Sequence, residues 1–320
     1  MSGPNGGIPA TSAIVAVLDA LGMNGAQFGV HELPGSYSNF THLVAAEGAG
    51  GQARNIVVRR YNPDNYEEGH VKHLCEFHAL KLLTALGLPV PPPLLLDDDG
   101  SLLGLPGIVT EYVPGAPIEL PAEAKRWGRM AAKTARMLAR IHRTPLSEPD
   151  KRYLMNDDVE VAWFIKGGRV PDYMRADPDG EVVWHMVNDR WGRWTPVEPR
   201  FAHTDYWAGN ILWRGDEIVA VLDWEEAGYG HPAADVAYAR MGYCIEGEPE
   251  AADEFLRVYE AAAGWTLPRR DLALFELAAS ARPMTDPEGW FAYPSMEAGF
   301  RRFIARAKEI ILDADYSISR

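Results

Sequence analysis

Cysteine is scarce: 320 residues contain only Cys75 and Cys244, and no Cys-x-x-Cys pair. That excludes a disulfide framework and the usual zinc-ligand spacing, and it matches a reducing compartment, so a cytoplasmic location is expected. No apolar run is long enough to span a bilayer, and Met1-Ser2-Gly3-Pro4-Asn5-Gly6-Gly7 has neither a basic n-region nor an apolar h-region. No membrane partner and no signal peptide are expected. Positive charge is also in deficit, with 31 Lys and Arg against 45 Asp and Glu, a net charge of −14. A nucleic-acid partner, which requires a basic face, is therefore not expected. The same charge would suit a cationic small molecule, although acidity often serves solubility alone. Low-complexity tracts are absent, and the length is sufficient for a sizeable core divided between two lobes.

The most informative stretch runs from Phe201 to Trp224. Ile211-Leu212-Trp213 and Ile218-Val219-Ala220-Val221-Leu222 are short apolar runs separated by Arg214-Gly215-Asp216-Glu217, which reads as a hairpin. A hairpin brings its ends together, so Asn210 and Asp223 are expected side by side, with Asp205 one loop earlier. Two oxygen-bearing side chains at neighbouring strand ends suit a hard divalent cation. A further carboxylate could orient or deprotonate a hydroxyl, as phosphoryl transfer requires. A glycosidase carboxylate pair is the rival chemistry, but it accounts for neither Asn210 nor the hairpin.

The order His203-Thr204-Asp205-Tyr206-Trp207-Ala208-Gly209-Asn210, then Leu222-Asp223-Trp224-Glu225, resembles the kinase signature His-x-Asp-x-x-x-x-Asn followed by a strand-ending Asp. With Gly209-Asn210 before an apolar strand, and Gly230-His231-Pro232-Ala233-Ala234-Asp235 downstream, it is most similar to the aminoglycoside phosphotransferase and choline kinase group of small-molecule kinases. The resemblance implies an α+β, bilobal, protein-kinase-like fold. Residues 1–113 would form a nucleotide-binding lobe with a small antiparallel sheet, and 114–320 a mainly helical catalytic and substrate-binding lobe. It further implies transfer of the γ-phosphoryl of ATP, with GTP as the other option, to a small-molecule hydroxyl, with Mg2+. Asp205 would be catalytic, Asn210 and Asp223 metal ligands, and Asp235 a prop for the catalytic loop. The alternatives are a non-catalytic nucleotide-binding pseudokinase and a protein kinase. No Ala-Pro-Glu-like segment follows Asp223, which counts against the latter.

The rest of the chain is read in that light. Helical periodicity over 11–23 precedes strand-like runs near 27–34, 39–46 and 54–61. The first turn, around Ser36, could lay backbone N–H groups over phosphates. The third strand ends in Arg59-Arg60, and successive strand residues face opposite ways, so only one of the two can face a nucleotide. Arg59 is the candidate, with Glu76 on the following helix as its partner; the alternative for Glu76 is a surface pair with Lys72. Two more strands flank Asp97-Asp98-Asp99-Gly100, read as a solvated turn. The resemblance implies that the backbone of Glu111 and Val113 meets the adenine edge. Further on, helices are expected over 122–142, from Asn156-Asp157-Asp158 to about Lys166, from Asp179-Gly180 to about Arg190, and near 250–263, 268–281 and 295–313. Trp163, Trp184, Trp191 and Trp194 either fill core or flank a substrate ring. Trp290-Phe291-Ala292-Tyr293 could close a substrate pocket, and the role of Glu225 is left open.

Overall fold

The computed structural model describes residues 7–33, 39–62, 64, 70–118, 124–156 and 163–318. The chain forms two compact units: Met1–Ala116 with Arg152–Leu154 and Leu212–Glu226, and the remainder.

The first unit is built on a five-stranded antiparallel sheet. Its strands are β1 (Gln27–Glu32), β2 (Asn39–Glu47), β3 (Ala53–Tyr61), β4 (Pro93–Asp97) and β5 (Gly107–Glu111), in the order β1-β2-β3-β5-β4. Helix α1 (Thr11–Ala20) lays Ile14, Val17 and Leu18 on Val44, Ile56, Val58 and Val109. Period-two alternation along β3 follows from this core. Ile56 and Val58 are fully buried with α1, and Arg60 shares their parity. The Arg60 guanidinium bonds the Gly7 carbonyl and lies over the Phe40 ring. Val57 and Arg59 therefore have the opposite parity, and both line a cavity whose walls include helix α2 (Lys72–Ala85). The hairpin also forms, with strands Ile211–Arg214 and Glu217–Val221, and Val221 N–H bonds the Pro89 carbonyl.

One expectation is corrected between β4 and β5. Asp97 is buried rather than solvated, and its Oδ2 accepts the N–H groups of Leu102 and Leu103 at 3.1 and 2.6 Å. A carboxylate that satisfies two turn amides stabilises the turn. Asp98 and Asp99 are the exposed members of the run: Asp98 Oδ1 lies 2.8 Å from His73 Nε2, and Asp99 Oδ1 accepts the Ser101 N–H.

The second unit is mainly helical. Its longer helices are α3 (Ala124–Ile141), α4 (Gly180–Asn188), α5 (Ala233–Ile245), α6 (Pro249–Ala263), α7 (Arg269–Ala279) and α8 (Pro294–Ile318). α3 packs on α6, while α5 lies against α6, α7 and α8. Gly299 permits the α5–α8 approach, since a Cβ there would lie 2.1 Å from the Cys244 carbonyl oxygen. A small sheet pairs Gly228–Gly230 with Met155–Asn156 and Arg200–Ala202. Asn156 is thus a strand residue; Asp157 and Asp158 lie outside the described residues, and the described part of the segment that follows contains the 3-10 turn Trp163–Ile165. Trp184 is core, and Trp191 and Trp194 pack on Phe275 with ring centroids 5.3 and 5.1 Å away. Among the described residues, no helix is long and apolar enough to cross a membrane.

Candidate active site

In the first unit, Arg59 stands at the centre of an acidic group. Its Nη2 donates to Asp223 Oδ1 at 2.7 Å and Glu225 Oε2 at 2.6 Å, and Nη1 lies 3.4 Å from Glu76 Oε1. Tyr61 donates its hydroxyl to Glu76. Lys72 donates to Glu225 Oε1 at 3.0 Å, and the Asn39 amide bonds the other oxygen. Lys72 therefore serves Glu225, and Glu76 is buried rather than part of a surface pair with Lys72. Asp223 is reached through a left-handed backbone, φ 65°, which a non-glycine residue holds only when its surroundings enforce it.

The electrostatics are those of a crowded, poorly solvated cluster. Burial pushes the Glu76 carboxyl up to about 7, Arg59 opposes that rise, and Asp223 and Glu225 add to it. Burial works against the charge of Arg59, but Asp223 and Glu76 hold its pKa well above the usual value. One carboxylate oxygen from each of Glu76, Asp223 and Glu225 lies within 4.8 Å of the others, an all-oxygen set of the kind hard divalent cations take.

Arg59, Glu76 and Asp223 share their cavity with Glu111, Val113 and the apolar side chains of Leu33, Val57, Ile108 and Leu222. The Glu111 N–H donates to the Pro92 carbonyl, and its side chain pairs with Arg54. The Val113 N–H has no hydrogen-bond partner among the described residues. Ser36 lies outside the described residues.

In the second unit, Asp205 follows the strand Arg200–Ala202. Asp235, in the first turn of α5, accepts the N–H groups of His203 at 2.8 Å and Thr204 at 2.7 Å, and its Oδ2 lies 3.0 Å from His142 Nε2. This is the prop expected of Asp235, and it holds Thr204 at φ 68°. His142, fully buried between Asp235 and the Tyr259 hydroxyl, is structural. The loop closes through Asn210, whose amide nitrogen donates to the Asp205 carbonyl at 2.9 Å and to Asp205 Oδ2 at 2.7 Å. Asp205 Oδ1 takes Arg282 Nη1 at 3.2 Å.

The residues singled out from the sequence thus form two groups: Arg59, Glu76 and Asp223 beside Glu111 and Val113, and Asp205 with Asn210. Sequence reasoning missed Lys72 and Asn39 as partners of Glu225, and it missed Arg282. Arg282 lies 77 residues from Asp205 in a segment with no motif. Lys72, one helical turn before Glu76, was visible only as a surface partner.

Residues 29–272 match the model of a phosphotransferase enzyme family. A curated relative, mouse acyl-CoA dehydrogenase family member 10, is 28% identical over 190 residues, 53% of this chain but only 17% of that protein. Three solved structures share the fold at low identity. An aminoglycoside phosphotransferase in ternary complex with ADP and hygromycin B has a TM-score of 0.60 at 16% identity, over 92% of this chain and 96% of its own. A choline kinase from Streptococcus pneumoniae has a TM-score of 0.59 at 18% identity, covering 94% and 98%. An amicoumacin kinase in complex with AMP-PNP and Ca2+ has a TM-score of 0.57 at 16% identity, covering 92% of each chain. These likenesses establish an α+β, protein-kinase-like fold, and the match over residues 29–272 places the chain in the phosphotransferase enzyme family.

Proposed function

We propose that the chain transfers the γ-phosphoryl group of ATP, or of GTP in its place, to a hydroxyl of a small molecule. The observation that carries this reading is the Glu76–Asp223–Glu225 carboxylate group with Arg59 bonded within it, beside a largely apolar cavity. A nucleoside triphosphate needs a slot for its base, a cation for its phosphates and oxygen ligands for its metal. That one group and its cavity contain all three kinds of residue.

In this reading Asp205 accepts or orients the acceptor's hydroxyl proton. The amide of Asn210 holds one of its oxygens and leaves further lone pairs for that proton. Arg59 grips phosphate oxygens in a planar fork, and Glu76 steadies Arg59. Ser36 belongs to the loop over the phosphates. The Glu111 carbonyl and the Val113 N–H address the adenine edge, with Leu33, Val57 and Leu222 against the ring faces. Mg2+ would be held by Asp223 and Asn210, with Glu225 beside Asp223, and would neutralise charge developing on the transferred phosphoryl. Relatives in complex with ADP, or with AMP-PNP and Ca2+, support this use of nucleotide and divalent ion. Residues 1–113 then act as the nucleotide-binding lobe and 114–320 as the catalytic and substrate-binding lobe of a cytoplasmic enzyme.

The test compares two variants by calorimetry with Mg2+ and AMP-PNP, and by ADP release over a panel of hydroxyl compounds. Asp205→Ala should abolish turnover and leave nucleotide affinity within about twofold. Asp223→Ala should weaken metal-dependent nucleotide binding by about tenfold or more, the loss of one metal-bound carboxylate. Normal turnover by Asp205→Ala removes that residue from catalysis, and unchanged affinity in Asp223→Ala removes that one from the metal site. A wild-type chain that binds nucleotide but releases no ADP whichever compound of the panel is supplied would be a pseudokinase.

A further inference from the structure

Arg282 donates from Nη1 to Oδ1 of the proposed catalytic carboxylate, Asp205, at 3.2 Å. It stands on the short helix Ala281–Thr285. Its guanidinium carbon lies 4.9 Å from the centroid of Tyr238, a buried residue of α5. Burial and then the Asp205 carboxylate hold the Tyr238 phenol well above its usual pKa, so it stays a neutral hydroxyl. The Trp290 ring meets the Tyr238 ring edge-to-face at 6.4 Å. Asp205 is thus flanked by a permanent positive charge and an aromatic wall, and the Arg282 side chain remains 34% exposed.

This arrangement carries information about the acceptor. Arg282 offsets the charge of Asp205, so a polycation gains less there than it would at a bare carboxylate. An ammonium group drawn toward Asp205 would instead approach a guanidinium. The overall charge of −14 does not override this, because exposed charges are screened beyond roughly 8 Å at physiological salt. A guanidinium carries five N–H groups in a planar fork that matches carboxylate and phosphate oxygens. We infer that Arg282 selects the acceptor, and that the phosphorylated molecule is a hydroxyl compound bearing its own carboxylate or phosphate rather than a polycationic aminoglycoside or an amino alcohol. This rests on the kinase reading of Asp205 and replaces the cationic substrate that net charge alone suggested.

The experiment uses the full chain with Mg2+–ATP and measures ADP release and calorimetric binding for matched probes. D-gluconate, D-glycerate and glycerol 2-phosphate are the anionic set, glucose and glycerol the neutral set, and choline and kanamycin A the cationic set. The expected result is an anionic probe favoured at least tenfold in kcat/KM, or in affinity for the nucleotide-bound enzyme, over its neutral counterpart. Arg282→Gln should remove that preference mainly through KM, Arg282→Lys should restore part of it, and both should bind AMP-PNP as the wild type does. Nucleotide binding by Arg282→Gln shows that the variant is folded. The inference is overturned if cationic or neutral probes are preferred, if no probe of the anionic set shows a preference in either readout, or if Arg282→Gln leaves a preference intact. In those cases the kinase reading survives wherever ADP release or nucleotide binding persists. A chain that binds no nucleotide at all removes the kinase reading and this inference with it.

Discussion

Removing the carboxylate of Asp235 should cost the protein more than almost any other single side-chain truncation of similar size. Asp235 is fully buried and accepts two backbone N–H groups, from His203 at 2.8 Å and Thr204 at 2.7 Å, with His142 Nε2 at 3.0 Å. Hydrogen bonds to a charged acceptor contribute about 1.5–3 kcal/mol each, and a buried donor left unpaired costs about 1–3 kcal/mol. Partners in one network do not add fully, so Asp235→Ala should lose about 4–5 kcal/mol, a large share of the roughly 5–15 kcal/mol typical of a domain. Asp235→Asn can keep a carbonyl toward Thr204 but turns an amide N–H2 toward the His203 N–H, and about 2–3 kcal/mol is expected. Urea unfolding followed by tryptophan fluorescence measures both, with Asp172→Ala as the exposed control, expected within about 0.5 kcal/mol of wild type. Amide exchange across residues 200–210 should rise in Asp235→Ala, since the Thr204 N–H, held at φ 68°, loses the carboxylate that accepts it. The acid limb gives an independent check. Burial by itself would raise the Asp235 carboxyl, but the bond and charge of His142, with those of His203, bring it below the ordinary carboxylate value. Its contribution is therefore complete above about pH 4 and is lost as pH falls through the lower folded value, a loss that Asp235→Asn should not show. A cost below about 1.5 kcal/mol for Asp235→Ala, with unchanged exchange, would refute the propping role.

Two other perturbations follow from buried groups in the second unit. Arg240 donates to Glu276 Oε1 at 2.7 Å and to the Ala252 carbonyl at 2.6 Å, and both side chains are buried. Arg240→Ala should cost about 3–5 kcal/mol by stranding Glu276, while the double change Arg240→Met with Glu276→Leu should recover most of it in a urea-unfolding cycle. His231 is pushed down to about 4, first by burial, so the folded protein resists its protonation. Stability should fall as pH drops from about 6.5 to about 4, and His231→Gln should flatten that limb of the unfolding midpoint against pH.

How much could be read beforehand depended on the range of the interactions involved. These elements rest on local periodicity: the β3 alternation, the apolar face of α1 and the Arg214–Glu217 turn are each contained in a dozen residues, and those three formed with bounds within a few residues of expectation. The motif from His203 to Asp223 was legible for the same reason, and so was Asp235, because its distance from a recognisable loop is fixed by the fold the motif implies. Parity in β3 even framed the choice between Arg59 and Arg60, but the answer required knowing that Ile56 and Val58 turn toward α1, a contact made across the sheet. Where the reading went wrong, composition had been used in place of environment. Asp97 looked solvated because it stands in a turn before a glycine, and it is buried because two turn amides required an acceptor. Lys72 looked like a surface partner for Glu76 because helix spacing allows it, and it is taken instead by Glu225, 153 residues away. Arg282 gave no signal, since an arginine on a short helix becomes informative only when a distant carboxylate is found against it. The residues that carry the family resemblance are therefore close in sequence, whereas the contacts of Lys72, Asn39 and Arg282 are assembled by the tertiary fold, which is why the family was readable from one stretch and the acceptor was not.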